Sequence, residues 1–424
     1  MPKTTLHRLR RLGAVLLLTG LAACQTLPAV NDRRLPEIAA IADGSAARTA
    51  MNARVYDASI AMVTRRFYDR AYNDVDFRAE AASRRAEAVA QTDEAGFYRS
   101  LNETLRLLDD RHTVAVRPSV NRARAEANLT ETRVFGFGIG TIINPETQEQ
   151  RYVLSTLRRD GPAAEAGVRT GWRIEAIDGE PFDPSVSYAG QPRLFRFVDH
   201  EGRAHEVELE ARALPREVGA AERRDDGVLV LRFASFDAAS RDWILGQLAD
   251  ARADPPRAVV VDLRGNIGGR IDATAAILGG FFSERIRFAY YNLGPVPRVA
   301  RRTRSASAPW TGPAAVLQSG MSGSAAEVFA AAFQENDRGP VVGQTSAGAV
   351  VGSVAYQLPD GGLLRVGVSE FRTGAGTVLE KVGVTPDVVI TPTYEDLIRG
   401  RDVMLEAAVA AMLGGSSGAD DANP

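Results

Sequence analysis

The sequence predicts an α/β fold, a largely parallel sheet flanked by helices, for the part of the chain beyond residue 226. Strands and helices alternate there along the chain: a strand at 228–233, a helix at 239–251, a strand at 258–263, a helix at 271–282, a strand at 314–318, a helix at 324–335 and a strand after 339. Such alternation is typical of parallel sheets with helical crossovers. A composition of 45% hydrophobic and 25% charged residues is that of globular proteins.

Two smaller units are predicted before this region. Residues 48–118 carry apolar side chains at helical spacing on two helices, which predicts an N-terminal helical domain or cap. Residues 130–212 have the pattern of short strands joined by turns, which predicts a small β-domain. The tail 413–424, rich in Gly, Ser and Asp, is predicted to be disordered.

The first 23 residues have the features of an export signal. Basic residues precede an apolar run, Gly13–Ala23, that is too short to span a bilayer comfortably, and Cys24 follows it directly. The ending Leu-Ala-Ala-Cys resembles a bacterial lipoprotein signal. That resemblance implies lipidation at Cys24, a tether over 24–47 and a cell-envelope location, with Gln25 favouring the outer membrane. A plain secretory signal with an incidental cysteine is the alternative. The net charge of −2 gives no electrostatic reason to expect nucleic acid as a partner.

The β-domain carries two glycine-rich segments in a characteristic order. The first is Phe135-Gly136-Phe137-Gly138, and the second runs from Gly161 to Gly179. Both resemble PDZ domains, in which such a loop binds a C-terminal carboxylate through converging backbone N–H groups and the adjacent strand edge pairs with the peptide. The alternative is that these glycines merely shape a small β-domain.

Three segments of the α/β region carry candidate chemistry. Residues 261–269 end an apolar strand in Asn-Ile-Gly-Gly, whose backbone N–H groups at Gly268 and Gly269 are candidate donors to an oxyanion. Ser324 stands at the start of a predicted helix, where the helix dipole favours negative charge and the N–H of Ala325 is a further donor. The third segment, 379–387, contains Glu380.

Together these segments resemble the tail-specific, C-terminal-processing serine proteases, whose catalytic core is crotonase-like. The resemblance covers most of 226–395. It implies a peptidase acting on polypeptides, without a cofactor, with Ser324 as nucleophile because it stands three residues before a Glu. Ser322 and Ser319 remain alternatives for the nucleophile, and a helix N-cap is the alternative role for Ser324.

The sequence departs from family members that use a Ser–Lys dyad. Ala349 occupies the position of the dyad Lys, and the only lysines are Lys3, in the signal, and Lys381. His112, in a Leu-Leu-Asp-Asp-Arg-His-Thr segment, resembles the base of the tricorn-like branch, which implies that His112 is the base and that Glu380 supports it. The alternatives are a loop histidine and a Glu380 paired with a neighbouring cation.

Two other classes of function compete with a peptidase. An inactive, lipid-anchored PDZ scaffold that binds protein C-termini fits the missing dyad Lys, while acyl-CoA chemistry fits an exported chain poorly. No metal site is predicted, because no His, Cys and Asp residues lie at ligand spacing. The sequence does not define the oligomeric state.

Overall fold

The computed structural model describes residues 41–121, 132–143, 146–183, 191–214, 218–293 and 296–414. The predicted signal peptide, Cys24 and most of the predicted tether lie outside the described residues, as does the tail from 415 onward. None of the described helices is both long and apolar enough to cross a membrane.

The N-terminal unit consists of three helices and one strand rather than two helices. They are α1 (Ala46–Arg66), α2 (Phe77–Val89), α3 (Glu94–Leu105) and β1 (Val114–Val116). Asp76 and Asp93 form N-caps at the start of α2 and α3, where each carboxylate accepts a hydrogen bond from a backbone N–H of the first turn. Each cap starts a new helix, so the helical pattern that follows α1 is divided into α2 and α3.

The predicted β-domain is a separate antiparallel sheet with one short helix. Its elements are β2 (Thr132–Val134), β3 (Phe137–Ile143), β4 (Gln150–Leu157), α4 (Pro162–Glu165), β5 (Arg173–Ile177), β6 (Glu180–Pro181), β7 (Arg193–Val198), β8 (Ala204–Leu209) and β9 (Arg212–Leu214). The main sheet has the order β3-β4-β5-β7-β8, with β6 paired to β5, and β2 pairs with β9. Phe195 and Phe197 are buried at the centre of this unit.

A six-stranded sheet forms the centre of the C-terminal unit. Its strands and flanking helices are β10 (Ala220–Arg223), β11 (Val228–Arg232), α5 (Ala238–Ala253), β12 (Ala258–Asp262), α6 (Ile271–Gly279), β15 (Ala314–Gln318), α7 (Ala325–Glu335), β16 (Val341–Gly343) and β19 (Val388–Val389). The order is β10-β11-β12-β15-β16-β19, and every pairing except β10 with β11 is parallel. The predicted α/β alternation is therefore confirmed.

A five-stranded antiparallel sheet, which the sequence did not predict, joins the N-terminal and C-terminal units. It contains β1, β13 (Arg287–Leu293), β14 (Val296–Arg302), β17 (Val351–Gln357) and β18 (Leu363–Thr373). Leu358, Leu364 and Val366 of the β17–β18 hairpin pack into the hydrophobic core of the three N-terminal helices. The N-terminal unit is thereby docked on the C-terminal unit through β18.

The loops that matter below lie at one edge of the parallel sheet. The segments after β12, β15 and β16 all leave the carboxyl ends of adjacent strands, so they meet at the same edge. Helices α8 (Tyr394–Ile398) and α9 (Val403–Leu413) complete the chain, and α9 covers the outer face of the sheet with Met404, Leu405 and Ala408. The predicted tail begins at 413, which is the last residue of α9.

Candidate active site

Ser324 occupies a strained turn between β15 and α7. Its backbone has φ 54° and ψ −116°, a conformation that a non-glycine residue adopts at a cost of about 1–3 kcal/mol. The side chain is half-buried, and its hydroxyl oxygen accepts from the backbone N–H of Glu327 in a capping box, so the N-cap role that the sequence left open for Ser324 is also present. The hydroxyl proton has no acceptor among the described residues, and it stands at the N-terminus of α7, where the helix dipole favours developing negative charge.

The two alternative serines are engaged in backbone contacts. Ser322 is buried and its Oγ donates to the carbonyl of Leu263 at 2.7 Å. Ser319 Oγ donates to the carbonyl of Arg264 at 2.6 Å. Both hydroxyls thus hold the loop after β15 against the loop after β12. Among the three candidates, Ser324 has the geometry of a nucleophile.

The three predicted oxyanion donors differ in whether their N–H groups already have an acceptor. Gly268 approaches Ser324 so closely that a Cβ on Gly268 would lie 2.6 Å from the Cβ of Ser324. However, the N–H of Gly268 donates to Asn266 Oδ1 at 2.9 Å, so the expectation that it is a free donor is wrong. Across the described residues, the N–H groups of Gly269 and Ala325 have no acceptor. These two remain candidates to bind an oxyanion.

Glu327, which the sequence analysis passed over, holds the nucleophile turn in place. It is fully buried, and one carboxylate oxygen, Oε2, accepts from the N–H groups of Ser324 at 2.8 Å and Ala349 at 2.9 Å. The other oxygen, Oε1, accepts from the hydroxyl of Ser346 at 2.6 Å and the N–H of Gly348 at 2.8 Å. Its place at the third position of the helix after a Ser was the available sequence signal.

His112 lies in a cluster with two carboxylates, one two residues earlier in its own loop and one from near the end of the C-terminal unit. One potential ligand atom each from Asp110, His112 and Glu380 lie within 4.8 Å of one another. His112 Nδ1 is 3.4 Å from Asp110 Oδ1, and this ring nitrogen is buried without a hydrogen-bond partner. The structure therefore brings together the two predicted residues and adds Asp110, which the sequence analysis did not select.

The two carboxylates have opposite electrostatic character. Burial raises the pKa of Asp110, but the nearby His112 ring and the hydrogen bonds from the Thr113 hydroxyl and the backbone N–H of His112 outweigh it and bring that pKa below its usual value. Burial also raises the pKa of Glu380, and there neither the hydrogen bond from the Val350 N–H nor the nearby His112 compensates. Asp110 is thus held in its ionised form, whereas Glu380 is protonated more readily than an exposed Glu.

The same three residues have the chemical character of a metal-ligand set. The sequence predicted no metal site because it shows no cluster at ligand spacing, and the fold adds the distant Glu380 to Asp110 and His112 to gather a histidine nitrogen and two carboxylates. Their oxygens already accept hydrogen bonds, from the N–H of Val350 to Glu380 and from the hydroxyl of Thr113 to Asp110. The cluster can equally serve to place and charge an imidazole.

The His112 loop and the nucleophile loop contact a common segment. Arg111 donates to the carbonyl of Ala347 at 3.3 Å, and the N–H of Ala347 donates to the carbonyl of Ser322 at 2.9 Å. Nothing in the described chain hydrogen-bonds His112 directly to Ser324. Active-site hydrogen bonds of an unliganded enzyme are often long and tighten only when substrate binds.

Lysine takes no part in this site. Lys381 forms an ion pair with Asp109, and both side chains are largely exposed. Ala349, at the position that resembles the dyad Lys, contributes its backbone N–H to Glu327. A Ser–Lys dyad is not formed by the described residues.

The predicted peptide-binding loop forms one end of the β-domain. Gly136 has φ 86° and packs against Gly161, and the carbonyl of Phe135 accepts from Ala163. Phe137 and Gly138 begin β3, which stands at one edge of its sheet with no further strand beyond it among the described residues. The loop and the strand edge therefore have the backbone layout that a peptide needs for pairing.

Comparison with known proteins places the C-terminal unit in a family. Residues 227–390 match Peptidase family S41. A carboxyl-terminal-processing protease of Synechocystis sp. is 27% identical over 339 residues, which is 75% of this chain and 77% of that protein. A carboxy-terminal-processing protease of Bartonella bacilliformis is 28% identical over 264 residues, 58% of this chain and 60% of that protein.

A solved structure shares the fold. The photosystem II D1 C-terminal processing protease aligns with a TM-score of 0.53 and 20% identity, over 80% of this chain and 93% of that one. At this identity the likeness concerns the fold alone. Residues 227–390 thus match Peptidase family S41, and the chain is a serine-type peptidase with carboxyl-terminal-processing proteases among its homologues.

Proposed function

We propose that this protein is a cell-envelope peptidase that cleaves polypeptides through Ser324, with His112 as general base and Glu380 in support. In the first step His112 takes the proton of Ser324 as its oxygen attacks the scissile carbonyl. The N–H groups of Ala325 and Gly269 bind the oxyanion of the tetrahedral intermediate. His112 then returns the proton to the leaving amine, and water releases the acyl group from Ser324.

The observation that carries this proposal is the gathering of a histidine and two carboxylates beside the nucleophile loop. His112 comes from the N-terminal unit and Glu380 from near the end of the C-terminal unit, 268 residues later in the chain. Lys381, the lysine among the described residues, does not compete as a base, because it is paired with Asp109 and has an exposed head group. A desolvated lysine would need a buried site.

A serine-directed fluorophosphonate probe tests this assignment. We expect the probe to label the purified protein at Ser324, and we expect labelling to be lost in Ser324→Ala and reduced at least ~100-fold in His112→Ala. His205→Ala is the matched control, since His205 stacks on Trp172 in the β-domain and bonds to Asp199. Full labelling of His112→Ala would refute the role of His112 as base.

The competing scaffold predicts a different result. An inactive PDZ scaffold would show no probe labelling at all, yet would still bind peptides with free C-termini and lose them on C-terminal amidation. The proposed peptidase combines both properties, with the crotonase-like core cleaving and the PDZ-like β-domain binding the tail. The layout of Gly136, Gly138 and the β3 edge supports a PDZ-type carboxylate site.

The envelope location rests on the N-terminal sequence. A basic segment, an apolar run and Leu-Ala-Ala-Cys24 support processing as a lipoprotein anchored through Cys24 on the periplasmic side of the outer membrane. Metabolic labelling with an alkyne fatty acid should modify the protein, and Cys24→Ser should remain unlabelled. Label retained in Cys24→Ser would contradict the anchor.

A further inference from the structure

The geometry points to Asp110 as the positioning residue for His112, the carboxylate that fixes the orientation of its ring and supports its charge, with Glu380 in a secondary role. This inference rests on the proposed function, in which His112 is the base. It differs from the sequence-based expectation, which named Glu380 alone.

Asp110 is fixed from several directions at once. Its side chain is fully buried, Oδ1 accepts from the N–H of His112 at 2.9 Å, and Oδ2 accepts from the hydroxyl of Thr113. Thr113 Oγ1 in turn accepts from the N–H of Gly367 in β18 at 3.0 Å. The carboxylate therefore has one orientation, set jointly by its own loop and by the sheet that joins the two units.

The sheet leaves room for this carboxylate only because of a glycine. A Cβ on Gly367 would lie 2.6 Å from Asp110 Oδ2. Any larger residue there would push the carboxylate away from β18. Asp110 is thus seated against the backbone of β18, which acts as a rigid wall behind it.

The ring of His112 lacks an acceptor that Asp110 is placed to supply. Nδ1 is buried without a partner and lies 3.4 Å from Asp110 Oδ1, about half an ångström beyond an ordinary N–H···O hydrogen bond. A small rotation of the ring closes this distance. An Nδ1–H···Oδ1 bond fixes the tautomer that leaves Nε2 free to accept the proton of Ser324.

Glu380 is less suited to this role. No ion pair joins its carboxylate to His112 among the described residues, whereas Asp110 Oδ1 lies 3.4 Å from Nδ1, and burial raises the pKa of Glu380. Other titratable groups near the cluster are Tyr68, whose pKa is raised by burial and then by the charges of Asp110 and Glu380, and Glu327, whose charge also raises the pKa of Glu380. Asp110 is the member of the cluster whose surroundings favour a permanent negative charge.

The test compares Asp110→Asn with Glu380→Gln in the full protein. Both changes keep side-chain size, and Asn retains the oxygen that accepts from the N–H of His112. We expect Asp110→Asn to slow fluorophosphonate labelling at least 100-fold, with the acid limb of its pH profile moved to lower pH. We expect Glu380→Gln to slow labelling less than tenfold, with a smaller shift of the acid limb of its pH profile. Thermal unfolding of each variant checks that the fold is retained.

A second measurement is independent of activity. The sequence contains only four histidines, so the imidazole signals of Ser324→Ala protein can be assigned by single substitutions. We expect Asp110→Asn to reduce the proton affinity of His112 at least tenfold, and Glu380→Gln to reduce it less. The reverse order of the two variants, or an unmoved His112 titration in folded Asp110→Asn, overturns the inference. Failure of the wild-type protein to label at Ser324 would instead refute the proposed function, because the titration does not depend on turnover.

Discussion

In the proposed mechanism, the nucleophile side of the site, around Ser324, and its base side, around His112, are held in different ways. On the nucleophile side, the turn at Ser324 is tied by a buried carboxylate, Glu327, to the segment 346–349 through four hydrogen bonds of 2.6–2.9 Å. On the base side, His112 belongs to a loop of another unit and its Nδ1 has no partner. The nucleophile is thus preorganised, whereas the base has a final adjustment left to make.

This difference indicates which part of the site still has to rearrange when substrate binds. A preorganised nucleophile and oxyanion site require no rearrangement during reaction. The gap between His112 Nδ1 and Asp110 Oδ1 is only a fraction of an ångström longer than a hydrogen bond, so substrate binding can close it. Many enzymes complete their catalytic site in this way when substrate binds. The two sides should therefore respond differently to substitution.

Breaking the support of the nucleophile should have the largest effect. Glu327→Gln places an amide against two of the four donors that now meet a carboxylate, and each buried donor left without an acceptor costs about 1–3 kcal/mol. We expect a loss of about 2–6 kcal/mol in the free energy of unfolding, together with loss of probe labelling. Denaturant unfolding and labelling measure the two.

The matched control lies on the same helix. Glu335, at the C-terminal end of α7, is exposed and accepts from the N–H of Ala375. We expect Glu335→Gln to change the free energy of unfolding by less than about 1 kcal/mol, as for most surface substitutions. Equal effects of the two changes would mean that Glu327 is not a special support of the turn.

The close approach of Gly268 to the nucleophile gives the next largest effect. Gly268→Ala would place a methyl group 2.6 Å from the Cβ of Ser324 at a residue with φ 100°, so the turn must move. A displacement of about 1 Å near the reacting atoms can lower the rate ~100-fold, and we expect a loss of that order in labelling rate. Gly265→Ala, with nothing within 4 Å of the new Cβ, should label normally.

The base side predicts a pH dependence with two opposite signs. The lowered pKa of Asp110 stabilises the fold above its unfolded-state pKa, and this stability is lost as pH falls. The raised pKa of Glu380 gives stability that is present below its unfolded-state pKa and is lost as pH rises through the folded-state value. Asp110→Asn should therefore cost more stability at pH 7 than at pH 3, and Glu380→Gln should be relatively more favourable at pH 7.

Thermal unfolding across that pH range measures both variants. For each variant, the change in stability relative to the wild type is plotted against pH. Slopes of opposite sign would confirm that Asp110 and Glu380 lie in different environments. Slopes of the same sign would show that the two carboxylates around His112 share one environment.

The smallest effect is expected at Lys381, the one lysine outside the predicted signal. Lys381 and Asp109 form an exposed pair, so Lys381→Ala should change the free energy of unfolding by no more than about 1 kcal/mol and leave labelling within about twofold. A loss of activity comparable to that of His112→Ala would restore a lysine base and overturn the assignment of the base side.

The sequence predicted the parallel sheet well, for a physical reason. Strands such as β12 and β15 are buried along their whole length, and buried parallel strands have continuous apolar sequences. The five-stranded antiparallel sheet was missed because its strands are only partly buried; in β17, for example, only the first residue is buried and the others are half-buried or exposed. Its sequence carries no strong period-2 pattern.

The finer chemistry depended on contacts that spacing does not reveal. The side chain of Asn266 accepts a hydrogen bond from the N–H of Gly268, so this predicted oxyanion donor is already used within its own loop. Asp110 differs from Asp109 beside it only in where the fold directs it, one buried under β18 and the other exposed. Ser324 was separable from Ser322 only once the hydroxyl partners were known.

The docking of the N-terminal helices on β18 has a consequence for when the enzyme becomes active. Residues 110–113 reach the site only through β1, the hydrogen bond from Gly367 and the packing of Leu364 and Val366 against those helices. A chain that is synthesised from its N-terminus delivers His112 first and Ser324 more than two hundred residues later. The site therefore forms last, when the N-terminal and C-terminal units have folded against each other, and an incompletely folded copy cannot cleave.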